Sequence, residues 1–342
     1  VDRPGSVAAL RSALARHAEA WLADAPSWCV ALSGGPDSLA LTAVAATLRP
    51  TTALIVDHAL QPGSAQVAET ARRQAVELGC VAARVLPVRV GSVGGPEAAA
   101  RTARYAALAD ARAGAPVLLA HTLDDQAETV LLGLGRGSGP RSLAGMRAAD
   151  PPWHRPLLGV RRRDTRVACA DLGLTAWDDP HNIDPRFTRV RLRTEVLPLL
   201  EDVLGGGVAE ALARTAAALR EDTDTLDAMA RTEVDRALTA AGPAVDAIAT
   251  AAGPAVDAIA TADGLAVDAI ANLPAALRLR VVRTWLLRGG ATDLADAQIR
   301  AVDALVTGWR GQGGVAVGCD LRRTRLFAER RGGVLMLRTE PV

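Results

Sequence analysis

Four apolar runs without polar alternation mark the first 120 residues: SWCVAL at 27–32, TALIVD at 52–57, CVAARVLPV at 80–88 and PVLLA at 116–120. Each is short enough for a strand, and continuous apolarity suits strands buried on both faces. Between them the apolar residues recur at helical spacing from Ser38 to Leu48, from Gln66 to Leu78 with Gly79 as the stop, and from Glu97 to Ala113. A further helix follows His121 and runs to about Leu134, and the N-terminal Arg/Ala/Leu pattern up to Trp21 reads as an amphipathic helix. Strands alternating with helices predict βαβ units and a parallel sheet, an α/β fold of the Rossmann-like kind. Beyond Arg136-Gly-Ser-Gly-Pro140 the chain turns Pro-, Trp- and Arg-rich. From about 185 it reads mostly helical, and past Gly314 short strands predict a small β or α+β ending. The expected division is a catalytic domain at 1–200 and a mostly helical region at 201–342. An eleven-residue tandem repeat is inserted at 242–274 (GPAVDAIATAA, GPAVDAIATAD, GLAVDAIANLP), and its Gly-Pro junctions are expected to interrupt any continuous helix.

In open parallel sheets ligands sit outside the carboxyl ends of the strands. Polar residues collect there: Ser33-Gly34-Gly35-Pro36-Asp37-Ser38 after the first run, Asp57-His58 after the second, His121 to Asp125 after the fourth. Two glycines let the backbone turn sharply and approach a ligand, and the following helix start offers unpaired N–H groups to an anion. The hydroxyls of Ser33 and Ser38 add donors. Asp37 fits a phosphate cradle if a cation mediates, which makes Mg²⁺ held by Asp37 the expected metal.

The remaining composition removes competing chemistries. The 342 residues are 49% apolar with a formal net charge of +1, so a globally basic nucleic-acid binder is not indicated. All 39 basic residues are arginines, which excludes a Walker-type lysine, a Schiff-base lysine and a lysyl adenylate. Cys29, Cys80, Cys169 and Cys319 are isolated, without a C-x-x-C pair, which disfavours zinc knuckles and iron–sulfur sites and fits a reducing compartment. With no apolar run near membrane-span length, a cytoplasmic protein without membrane association is expected.

The hexapeptide Ser33–Ser38 resembles the PP-loop of the N-type ATP pyrophosphatases. Val56–Ser64, Glu97–Leu108, His121–Leu132, Arg136–Gly139 and Trp177–Asn182 occur in an order similar to that of the tRNA(Ile)-lysidine synthases. The resemblance covers roughly 28–200 and, more loosely, 274–310. It implies ATP-dependent adenylation of the wobble cytidine of a CAU-anticodon tRNA(Ile), then attack by free L-lysine with release of AMP and pyrophosphate. ATP, Mg²⁺, tRNA and lysine are the implied ligands, with a homodimer left open. Ser33, Gly34, Gly35, Pro36, Asp37, Ser38, Asp57 and His58 are the expected nucleotide contacts. Arg104, one helical turn from Arg101, is expected to hold phosphate charge during transfer.

Asp125 and Glu128 lie three apart on a helix that begins with His121 and Asp124, and two carboxylates in an anion-binding cleft need a cation. That cation is the lysine ammonium on one reading and Mg²⁺ on the other; His121 joins Asp37, Arg104, Asp125 and Glu128 as the candidate catalytic set. For tRNA phosphates, Arg136 and the trio Arg186, Arg189 and Arg193, read as one helical face, stand out within an arginine-rich segment from 155 to 193; a second arginine cluster spans 310–338. Gly133, Gly135 and Val190 depart from the family pattern. The alternatives are another PP-loop tRNA-modifying enzyme such as a thiolase, and a non-catalytic nucleotide-binding regulator.

Overall fold

The computed structural model describes residues 5–59, 63–91, 95–137, 139–252, 264–319 and 324–341. Residues 60–62 of the second motif, Ser138, the second tandem repeat at 253–263 and residues 320–323 of the C-terminal arginine cluster lie outside that set. The chain forms two compact units, Val1–Arg220 and Glu221–Val342.

The first unit opens with α1 (Ser6–Trp21), followed by β1 (Trp28–Ala31), α2 (Pro36–Leu48), β2 (Thr51–Asp57), α3 (Ser64–Glu77), β3 (Ala82–Pro87), α4 (Pro96–Ala111), β4 (Val117–Leu118) and α5 (Leu123–Gly135). The short α6 (Pro140–Leu143), the pair β5 (Ala149–Asp150) and β6 (Trp153–His154), and α7 (Arg162–Asp171) come next. A 3₁₀ turn at Pro180–Ile183, α8 (Thr188–Arg191), a π-helical turn at Leu192–Val196 and α9 (Leu197–Val203) lead into the long helix α10 (Val208–Ala252). The sheet has the order β3-β2-β1-β4-β6-β5. Every pairing is parallel except β5 with β6.

Period-two alternation within the apolar runs explains the two-sided burial. Trp28 and Val30 of β1, Ala53 and Ile55 of β2 and Leu118 of β4 point into one core with Leu10 and Leu14 of α1, Leu39 and Val44 of α2, and Ala168 of α7. Cys29, Leu54 and Val117 point the other way, into a core with Leu108 and Ala111 of α4. Leu10 and Leu14 are fully buried, each worth about 2 kcal/mol of apolar transfer. At the edge of the sheet β3 is half-exposed, so its apolar run reflects one-sided burial.

Beneath the sheet His17 and His154 share a buried hydrogen bond of 3.1 Å between Nε2 and Nδ1. Burial first, and the neighbouring His154 second, lower His17 to about 4. Because the folded value lies below the ordinary one, the stabilisation is present above about pH 6.5 and is lost as pH falls towards 4. Urea midpoints followed from pH 7 to 4.5 are expected to drop steeply, and His17→Gln, which still hydrogen-bonds but does not titrate, should flatten that drop. An unchanged slope in the variant would remove His17 as a cause.

In the second unit β7 (Leu265–Ala266), α11 (Val267–Ile270), α12 (Ala275–Arg288), β8 (Ala291–Thr292), α13 (Asp296–Thr307), β9 (Val315–Cys319), β10 (Thr324–Arg331) and β11 (Val334–Pro341) complete the chain. The three longer strands coincide with the short runs read past Gly314. The sheet order is β7-β11-β10-β9-β8, antiparallel throughout, over a core of Val281, Trp285, Val302, Leu326 and Leu337. One expectation fails here. Gly242-Pro243 does not break the helix: α10 carries Pro243 inside it and continues to Ala252. The proline forfeits one backbone hydrogen bond, and the packing of Ala241, Ala244 and Val245 against Val334 and Met336 offsets that loss.

Candidate active site

The loop Ser33–Ser38 turns from β1 into α2, with Pro36 at the first helical position. Gly34 has φ +84°, and its carbonyl accepts the Trp177 N–H at 2.9 Å. A Cβ there would sit 3.6 Å from the Cβ of Ala71 and 3.8 Å from that of Trp177, ordinary contacts, so it is the backbone conformation that favours glycine. Ser38 Oγ donates to the Gly35 carbonyl at 3.0 Å, accepts the Ser33 N–H at 3.2 Å and lies 3.1 Å from Ser33 Oγ. The two hydroxyls therefore hold the bend in shape.

Asp37, in the first turn of α2, receives the Thr165 hydroxyl and has Arg162 Nε at 3.6 Å from its other oxygen. Burial raises its carboxyl despite Thr165 and Arg162. Cys169 on the same α7 face donates its thiol to the Pro36 carbonyl at 3.2 Å. Burial pushes Cys169 and Cys80 up to about 11, so neither offers a thiolate near neutral pH.

Helix α5 starts in a capping box: the Thr122 N–H and hydroxyl donate to Asp125 Oδ2 at 2.8 and 2.7 Å, and the Asp125 N–H reaches Thr122 Oγ1 at 3.4 Å. Burial alone would raise the Asp125 carboxyl, but Arg162 and the Thr122 donors hold it below the usual carboxylate range. Arg162 donates to Asp125 at 2.6 Å and to Glu128 Oε1 at 3.2 Å. Glu128 is fully buried, and it also takes Arg193 Nε at 2.9 Å and has Arg189 at 3.8 Å. Asp124 caps α7 by accepting the Arg162 backbone N–H at 2.7 Å and pairs with Arg161 at 3.2 Å. The carboxylates that call for a cation thus have arginines from their own chain.

His121, just past β4, is half-buried, and its buried Nδ1 has no hydrogen-bond partner among the described residues. Burial lowers it to about 4, opposed by Asp125 and reinforced by Arg155, Arg101 and Arg104. His58 is lowered in the same way, by burial and then by Arg104, and its two ring nitrogens also lack partners among the described residues. Arg104 thus acts on both histidines, which brings the ends of β2 and β4 to one place beside α4. Asp57 accepts the Ala59 N–H at 2.9 Å and shapes the turn there. Arg101 lies over the Tyr105 ring, 4.9 Å from its centroid.

The arginines read as a tRNA surface separate. Arg186 precedes α8 and forks onto Asp184 at 2.6 Å, so it does not share a helical face with the other two. Arg189 and Arg193 turn inward to Glu128, and the π-helical turn that carries Arg193 sets that direction. Arg136 is exposed at the C-cap of α5. Of the three departures, Gly133 and Val190 have packing reasons, whereas Gly135 has open space around it. A Cβ on Gly133 would meet the Ser142 carbonyl at 2.9 Å, and Val190 is buried. Arg162 and Thr165 are the site residues that the sequence reading did not single out, and Trp177 appeared there only as the start of a motif. The signal available for these two was an arginine run followed by Thr165, Ala168 and Cys169 at helical spacing.

A lysine-free glycine/serine loop at the carboxyl end of a parallel strand, opening a helix whose first turn carries an acid, defines a PP-loop nucleotide-binding protein of the ATP pyrophosphatase kind. The PP-loop domain family matches residues 9–200, and the TilS substrate binding domain family matches residues 265–326. The chain belongs to the tRNA(Ile)-lysidine synthase family. It is 66% identical over 342 residues to the tRNA(Ile)-lysidine synthase of Mycobacterium bovis, covering 100% of both chains. With that of Rhodococcus erythropolis it is 58% identical, over 90% of this chain and 88% of the relative. Among solved structures the U34-tRNA thiolase NcsA from Methanococcus maripaludis matches with a TM-score of 0.52 at 16% identity, over 63% of this chain and 80% of that one. That likeness concerns the fold alone. No helix among the described residues is long and apolar enough to cross a membrane.

Proposed function

We propose that this chain adenylates the C2 oxygen of the wobble cytidine in a CAU-anticodon tRNA(Ile) and joins the ε-amine of free lysine to that carbon. The observation that carries the reading is the continuous polar chain from Asp37 of the loop through Arg162 to Asp125 and Glu128. It joins the nucleotide loop to an acidic pair, to which we assign the lysine amine in a protein of this family. In the first step the cytidine oxygen bonds to the α-phosphorus and pyrophosphate leaves, steadied by the N–H groups and hydroxyls of Ser33–Ser38. Asp57, His58 and Arg104 border the nucleotide, and Arg104 balances phosphate charge.

Among the described residues there is no cluster of three metal-ligating side chains. A Mg²⁺ ion needs only one or two carboxylates when phosphates and water complete its shell. Asp37, whose charged form burial disfavours, fits that part. Bound there, the ion would neutralise phosphate charge.

In the second step the lysine ammonium first gives up one proton to water; the uncharged amine then bonds to C2, and AMP leaves with the former C2 oxygen. Asp125, held ionised, suits holding the ammonium and is ill suited to taking its proton. The cationic adduct is far more acidic than the ammonium. His121, neutral at pH 7 with a free Nδ1, is the acceptor for that proton. Exposed Arg136 and Arg186 are left for tRNA phosphates, whereas Arg189 and Arg193 belong to the acidic pair.

The test is one incubation of the protein with labelled ATP, Mg²⁺, labelled lysine and an unmodified CAU-anticodon tRNA. Stoichiometric pyrophosphate, AMP and lysine-bearing tRNA are expected. ATP binding without turnover would replace the reading with the regulator, and turnover only with a sulfur donor would replace it with a thiolase.

A further inference from the structure

We infer that Arg162 closes the amine site until nucleotide is bound, so that lysine binds after ATP. The inference rests on the functional reading above, in which Asp125 and Glu128 hold the lysine ammonium. Its basis is the charge count inside the cluster. Asp37, Asp125 and Glu128 are matched by Arg162, Arg189 and Arg193, all within ion-pair distance. Before any ligand arrives each of these three carboxylates therefore already has a cation, while the flanking Asp124, Glu201 and Glu210 share Arg161. A lysine ammonium entering beside the three would meet guanidiniums already in place, which is unfavourable by desolvation and by repulsion together.

Arg162 is the member placed to resolve this. It alone bridges all three carboxylates: its Nε lies 3.6 Å from Asp37, its NH2 2.6 Å from Asp125 and its NH1 3.2 Å from Glu128. Asp37 belongs to the phosphate loop, so one guanidinium touches the nucleotide site and the amine site at once. ATP brings several negative charges to that loop. A guanidinium forks onto phosphate as readily as onto carboxylate, so the added charge of ATP draws it towards the loop once a second cation can serve the carboxylates. The side chain also borders a cavity of about 130 Å³ lined by Asp124, Arg161, Arg193 and Glu201, so it can shift without unpacking the apolar core. When Arg162 turns to the phosphates, Asp125 and Glu128 lose one cation and accept another, the ammonium. The buried Nδ1 of His121, without a partner among the described residues, marks polar space beside Asp125 for the arriving group. Arg162 is thus a positioning residue that links the two substrates, and the linkage is reciprocal: lysine must tighten nucleotide by the factor that nucleotide tightens lysine.

Calorimetric titration of the full chain with lysine, alone and with a Mg²⁺-loaded ATP analogue carrying a methylene between the α and β phosphates, tests this. The wild-type protein is expected to bind lysine roughly tenfold or more tightly with the analogue present, within the range usual for coupled sites. Equal affinity in both conditions overturns the inference without any variant. Arg162→Gln is expected to bind lysine more tightly than wild type in the absence of nucleotide and to reduce the coupling factor to about 1. Arg162→Lys, which keeps a tethered cation, should retain coupling. A merely structural arginine would shift the melting temperature and both affinities but leave the coupling factor in place; persistence of coupling in Arg162→Gln overturns the inference. Asp125→Asn separates the two claims. If it binds lysine as tightly as wild type in the presence of the analogue, the amine-site reading itself falls. If it loses lysine while the wild type shows no coupling, only the gate falls.

Discussion

Asp125→Asn and Glu128→Gln each raise the KM for lysine by roughly ten- to a hundredfold while the KM for ATP changes less than threefold, the span expected when a charge-assisted bond to a buried ammonium is lost. The two carboxylates are not equivalent, and the difference sharpens the expectation. Asp125 is held by Arg162 at 2.6 Å, with Arg193 further off at 3.8 Å, and by its own helix cap. Its amide can still accept the Thr122 N–H, so the fold is kept and the loss falls on lysine. Glu128 is fully buried and collects Arg162, Arg189 and Arg193. Removing its charge leaves guanidiniums without their partner, which destabilises a buried network by about 3–5 kcal/mol. Glu128→Gln should therefore lower the melting temperature as well as lysine affinity, whereas Asp125→Asn should lower only the latter. Steady-state kinetics with lysine and ATP varied separately decides the matter. A rise confined to the KM for ATP would place Mg²⁺, not lysine, on this pair.

The parts of the site that were legible in the sequence are those whose chemistry is local. Ser33–Ser38 announces itself because a strand, two glycines and a helix start are contiguous. His121, Asp125 and Glu128 announce themselves because helix spacing puts acids three apart on one face. The parts that were not legible depend on which helices meet. Nothing near Arg162 says that α7 docks against α2, yet that docking delivers its guanidinium to Asp37 and the Thr165 hydroxyl with it. The same arginine run looked like tRNA surface, and Arg189 and Arg193 looked like part of it. Arginine density alone does not distinguish a solvated cluster from one drawn inward by a buried carboxylate. Gly242-Pro243 shows the opposite error. The local rule was right about the lost hydrogen bond and wrong about the outcome, because Val334 and Met336 lie far away in sequence and reward the unbroken helix. Gly133 is similar: it reads as a missing arginine until the Ser142 carbonyl is seen against it.

The largest single loss is expected from Asp37→Asn, which should lower kcat/KM for ATP by about 10²–10³, the scale of removing one preorganised electrostatic contact to a developing phosphate charge. The substitution is nearly isosteric, and its side-chain oxygen can still accept the Thr165 hydroxyl, so the α2–α7 packing through Cys169 and Pro36 is retained. What disappears is the charge. Without it, Mg²⁺ has no carboxylate on the loop, and the dependence of rate on Mg²⁺ concentration should shift to higher values by at least about tenfold, since one carboxylate is the usual anchor when phosphates supply the other ligands. Asp37 also opposes Arg162, so its removal frees that guanidinium for phosphate. ATP affinity measured without Mg²⁺ should for that reason stay within a fewfold of wild type, or improve. This separates the variant from Gly34→Ala, where a Cβ at φ +84° distorts the loop and ATP affinity falls with and without the metal. Pyrophosphate release titrated against Mg²⁺, alongside calorimetry of ATP in its absence, distinguishes the two. A Mg²⁺ dependence identical to wild type in Asp37→Asn would show that the carboxylate serves the α7 contact and not the metal.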